Sequence, residues 1–65
     1  MQINSTDATQ ATVTLTDAEL RLLNNAMNEA LEALDDDEFE TRVGAERSEM
    51  QALLSEVNAL IKSLA

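Results

Sequence analysis

Between Met50 and Leu64 the chain places Met50, Leu53, Leu54, Val57, Leu60, Ile61 and Leu64 at helical spacing. On a wheel of about 100° per residue, all seven fall within a stripe about 120° wide. Such a segment forms an amphipathic helix and needs a second apolar surface to cover it. A candidate lies upstream. Leu20, Leu23, Met27, Ala30 or Leu31, and Leu34 recur at three- and four-residue steps. Helices are therefore predicted at about 17–34 and 46–64, packed stripe to stripe.

The ends of the first helix carry their own signals. Thr16-Asp17-Ala18-Glu19 reads as a capping box, in which the Thr16 hydroxyl accepts from the Glu19 N–H and the Glu19 carboxylate reaches back to the Thr16 N–H. Asp35-Asp36-Asp37 should end the helix, since three poor helix formers repel one another at the negative end of the dipole. Asp37 can then cap a short helix over 37–43, with Phe39 and Val43 on its buried side and Glu38 paired to Arg42. Gly44 suits the left-handed cap that closes it. Ser48 through Gln51 offers a further capping-box pattern, leaving the start of the last helix open by a turn.

Residues 1–10, polar and rich in Ser, Thr, Asn and Gln, read as a flexible arm. Ala11-Thr-Val-Thr-Leu15 is β-branched. It is either an extended lead-in packing Val13 and Leu15 on a helix, or a strand that pairs with a second copy or a target. Leu22 falls off the main stripe, where it meets Val13, Leu15 or a partner. The expected fold is mainly all-α, a small three-helix bundle or helical hairpin with a short middle helix. An extended N-terminal segment precedes it, and residues 11–65 form one helical domain.

Composition narrows the chemistry. With no Cys and no His among 65 residues, disulfides are excluded, and zinc, haem and iron–sulfur sites lose their usual ligands. Ser5, Ser48, Ser55 and Ser63 have no imidazole to activate them. No catalytic residues and no cofactor are expected, and the protein is read as a non-enzyme. Counting from Asp35, an EF-hand loop would need an oxygen ligand where Phe39 stands and glycine where Glu40 stands, so no metal site is expected either. The start, MQINSTDATQ, lacks the basic and apolar regions of a signal peptide. No apolar run approaches a membrane span. The bacterial cytoplasm is the expected location.

Charge is the remaining signal. The net charge is −9, which disfavours direct binding to nucleic acid. It is also unevenly spread: −2 over residues 1–28, −6 over 29–42 and −1 over 43–65. The candidate partner-binding residues are Glu29, Glu32, Asp35, Asp36, Asp37, Glu38 and Glu40. They serve either as a solvated face that aids solubility or as a docking surface. On a continuous helix Glu29, Glu32 and Asp36 would form one ridge with carboxylates about 4.5–6 Å apart along the axis. Such a row approximates a row of phosphates and suits a basic groove built for DNA or RNA. Asn24, Asn25 and Asn28 are unusual inside a helix. Asn24 or Asn28 either hydrogen-bonds the backbone of Val13–Leu15 or contacts a partner.

Three stretches, Leu22–Leu31, Glu38–Gly44 and Glu49–Leu54, together resemble a short module that recurs in small bacterial proteins of unassigned role. The size, acidity and cysteine-free helical make-up are similar to small phage and mobile-element anti-CRISPR inhibitors of type I systems. Several of that class imitate DNA and occlude the DNA-binding surface of a Cascade subunit. The resemblance implies a stoichiometric inhibitor of a basic nucleic-acid-binding protein, a Cascade subunit being one example. From the residues alone two alternatives stand beside it. One is a helical module that dimerises through Leu22 and the stripe edges; the other is an immunity or antitoxin protein that plugs a nuclease. The chain is accordingly expected as a monomer or homodimer.

Overall fold

The computed structural model describes residues 1–64. Its elements, in chain order, are β1 (Gln2–Thr6), β2 (Ala11–Thr14), α1 (Asp17–Ala33), α2 (Asp36–Val43) and α3 (Arg47–Ser63). The molecule is mostly helical. Helices α1 and α3 pack along their stripes, and α2 folds back against α3.

The core is small. Leu20, Met27 and Val57 form its buried centre, flanked by the half-buried Leu15, Met50, Leu54 and Ile61. Phe39, the most buried side chain, carries the apolar side of α2 inward. Its partner on α2, Val43, is half-buried. Only part of each stripe is used. Leu23 on α1 and Leu53, Leu60 and Leu64 on α3 remain exposed. Leu22, off the main stripe, is also exposed.

The capping box forms as its spacing requires. The Glu19 N–H donates to Thr16 Oγ1 at 3.2 Å, and the Thr16 N–H donates to Glu19 Oε1 at 2.9 Å. Leu34 leaves the helix in an extended conformation, which ends α1 just before the three aspartates. Gly44 closes α2 at φ +83°, its N–H donating to the Glu40 carbonyl at 2.8 Å. Two expected caps are not made. The N-cap of α2 is Asp35 rather than Asp37, and its backbone carbonyl, not its side chain, receives the N–H groups of Glu38 and Phe39. This start places Asp36, Asp37 and Glu38 together in the first turn, where the helix dipole favours negative charge. The last helix starts at Arg47 with Glu46 as N-cap and no side-chain cap, so Ser48 lies inside the first turn.

The N-terminal ten residues are corrected more fully. Instead of a flexible arm, residues 2–6 form a strand antiparallel to β2, pairing Ile3 with Val13 and Thr6 with Ala11. An irregularity between Ile3 and Ser5 breaks the register at Asn4, whose Oδ1 accepts from the Thr14 hydroxyl at 3.0 Å. The turn is organised by Asp7. Its carboxylate accepts the N–H groups of Thr9 and Gln10, each at 2.8 Å, in the manner of an Asx turn. These bonds, that from Thr9 first, lower the Asp7 pKa. Residues 11–14 thus form a strand that pairs with residues 2–6 of their own chain. Beyond its root the hairpin scarcely touches the helices. A further tie is the N-terminal amine of Met1, which bonds Glu19. That amine first, and then the Thr16 N–H, lower the Glu19 pKa to about 2.

Candidate functional site

The seven candidate carboxylates lie where α1 ends and α2 begins, and all seven residues are exposed. Glu29 and Glu32 stand on the last turns of α1, Asp35 on the connection, and Asp36, Asp37, Glu38 and Glu40 on α2. The single ridge expected through Glu29, Glu32 and Asp36 does not form. The chain turns out of the helix at Leu34, so Asp36 belongs to a different axis. What forms is a corner with a short row on each arm. Glu29 and Glu32 make one and Asp37 and Glu40 the other, each pair separated by about 4.5 Å of helix rise. Asp35 sits at the bend.

The corner is built around Arg47, which sequence reasoning did not single out. Its Nε donates to Asp36 Oδ1 at 2.7 Å. Its two terminal nitrogens donate to the carbonyls of Leu31 at 2.6 Å and Leu34 at 2.5 Å. The guanidinium carbon lies 4.8 Å from the centroid of the Phe39 ring, within cation–π range. Helix α1 has no basic residue in its last turn, where orphan carbonyls and the dipole call for one. Arg47 supplies that charge from the first turn of α3 while resting on the anchor of α2. One side chain thereby ties together three helices. No local spacing marks this role, because its partners lie eleven to sixteen residues away.

The ion pairs divide the carboxylates. Asp36 is taken by Arg47, and Glu38 by Arg42 at 3.4 Å, one turn along α2. Glu29, Glu32, Asp35, Asp37 and Glu40 have no salt-bridge partner among the described residues. Both nearby guanidiniums are therefore committed, and five carboxylates are left to solvent. Among the described residues no three carboxylates converge closely enough to hold a metal ion. The open cleft between α2 and α3 is lined by Asp36, Phe39, Glu40, Glu46, Arg47, Ser48 and Gln51. Its single cation is already engaged, so it offers no free charge to an anion.

The asparagines also depart from expectation. Asn24 Nδ2 donates to Asn58 Oδ1 across the α1–α3 seam, and Asn28 Nδ2 donates to the Asn24 carbonyl and Oδ1, both at 3.1 Å. The contact with Val13–Leu15 is not made, because that segment has left for the hairpin. Asn58, at the edge of the α3 stripe, was not recognisable as a partner without the alignment of the two helices.

Comparison with protein-family models, with curated proteins and with solved structures found no match. No helix among the described residues is long and apolar enough to cross a membrane.

Proposed function

We propose that the protein is a non-enzymatic acidic inhibitor that docks on a basic nucleic-acid-binding surface of a larger protein and occupies it in place of DNA. The observation that carries this reading is the pairing pattern at the corner. Arg42 and Arg47 are each held by one carboxylate, and five further carboxylates stay exposed without a cation. A solvated face that serves solubility usually mixes signs. Concentrating unpaired charge works against folding through self-repulsion. A basic partner surface would relieve that repulsion on binding and draw the protein in rapidly at low salt.

The anchoring of the corner adds support. Three helices meet at Arg47, so the two acidic rows keep a fixed relation and lose little freedom on docking. The type I Cascade complex, offered by the anti-CRISPR resemblance, is the partner of choice for a first experiment. The protein should displace duplex DNA from purified Cascade at physiological salt. DNA binding that is unaffected by excess protein would count against this target, and indifference of the binding to salt would count against the electrostatic mechanism.

A further inference from the structure

The hairpin is joined to the helices at two points of different kinds. One is covalent: β2 runs through Leu15, half-buried against the core, into Thr16 at the start of α1. The other is the Met1 amine on Glu19. Neither strand buries a side chain, so no packed surface fixes the angle of the ribbon to the helices. A two-stranded ribbon is marginal in water unless something packs on it. Its placement therefore depends on the second point.

The register brings the amine there. Gln2 pairs with Thr14, so Met1 comes level with Leu15 and its amine reaches the first turn of α1. A lone cation is out of place at a helix start, where the dipole is positive. Glu19 reverses that. Of the two carboxylates in the first turn, Asp17 is held by Arg21 at 2.6 Å, which leaves Glu19. Its Oε1 closes the capping box on the Thr16 N–H, and its Oε2 takes the amine. One half-buried carboxylate thus fixes the start of the helix and holds the end of the strand.

We infer that the Met1 amine is a modification site, and that acetyl transfer to it releases the hairpin from the helices. The donor is an acetyl thioester. The ammonium gives one proton to water, and the neutral amine attacks the carbonyl carbon. A C–N bond forms, the C–S bond breaks, and the thiol leaves with a second proton from the nitrogen. The resulting amide has a single N–H and no charge, so Glu19 loses its ion pair and keeps the Thr16 N–H. The helix cap survives, and the ribbon swings about Leu15 and Thr16. None of the seven carboxylates at the acidic corner takes part, so the inference does not depend on their proposed use.

Backbone order parameters from NMR relaxation test it. The 65-residue chain is made by chemical synthesis with either a free or an acetylated amine, which leaves Lys62 unmodified. With the free amine, residues 2–6 and 11–14 should tumble with the helices, at order parameters of about 0.85. Acetylation should lower these to below about 0.6 and leave α1, α2 and α3 unchanged. Hairpin values that do not fall on acetylation would overturn the inference, as would values already low with the free amine. Glu19→Gln separates charge from added bulk. Glutamine still serves a capping box, so the helix start holds, and the hairpin should be loose whether or not the amine is acetylated. A further drop on acetylating this variant would show that the acetyl group acts by its bulk, and would also overturn the inference.

Discussion

Arg47 lies 2.7 Å from Asp36, and the two members of this pair have unequal surroundings. The Asp36 side chain is 86% exposed and that of Arg47 only 27%. The carboxylate is in water, whereas the guanidinium is held between helix-end carbonyls and an aromatic ring. Most of the stabilisation therefore comes from the capped carbonyls and the Phe39 contact rather than from the ion pair.

Arg47→Met keeps the stem but removes the guanidinium, leaving the Leu31 and Leu34 carbonyls without their donor. The expected loss is about 2–3 kcal/mol by urea denaturation. Asp36→Asn, by contrast, should cost about 0.5 kcal/mol or less. Equal losses for the two variants would mean that the exposed ion pair is the anchor.

Phe39→Ala should be the most damaging truncation on α2. The residue is nearly inaccessible, and an eight-residue helix does not hold without tertiary packing. A loss of about 3 kcal/mol or more is expected, with amide exchange across Asp36–Val43 accelerating before that of α1 and α3. Uniform acceleration in all three helices would show that α2 does not open independently.

At Gly44 the φ of +83° is the only constraint, since a Cβ there would meet nothing within 4 Å. Gly44→Ala should cost about 1 kcal/mol from backbone conformation alone, and Gly44→Asn less. A larger loss for Asn than for Ala would point to a steric cause.

The Glu19 pKa, lowered to about 2 from the ordinary glutamate range, makes a signed prediction. A carboxylate with a depressed folded-state pKa contributes stability above its unfolded value and loses it as pH falls toward the folded one. This contribution should be intact above about pH 4.5 and should fade as pH drops toward 2. Glu19→Gln should flatten that part of the profile. Acetylating the Met1 amine should raise the pKa seen by NMR but leave it below the ordinary value, because the Thr16 N–H still bonds the carboxylate. An unchanged pKa after acetylation would contradict the amine contact.

The features legible in the sequence were those encoded locally. The capping box at Thr16 and Glu19, the aspartate break and the left-handed Gly44 each depend on neighbours within a few residues, and each appears in the structure. The three helices followed from them and from the apolar period. The hairpin escaped because all nine strand residues are exposed, so no buried face imposes an alternating pattern. Asp7, placed to bond Thr9 and Gln10 between β-branched stretches, was the available signal. Arg47 and Asn58 escaped for a different reason: their roles arise only once separate helices are aligned. At the acidic site the residues were legible, but their shape was not. A ridge drawn on one continuous helix became a corner on two, with two of its charges matched.

The inhibitor proposal is tested most directly by comparing wild type with a variant in which Glu29, Glu32 and Glu40 become Gln and Asp35 and Asp37 become Asn. Asp36 and Glu38 are retained, so both arginine pairs survive. The measurement is the protein concentration that displaces half the duplex DNA from purified type I Cascade at physiological salt, with circular dichroism and thermal melting run in parallel. Relief of self-repulsion should roughly offset the helix-dipole contribution lost at Asp37, leaving the variant about as stable as wild type. Its half-displacement concentration should rise by at least about tenfold, mainly through slower association. Equal displacement by the two proteins would contradict the proposal, because the free carboxylates would then contribute nothing to docking.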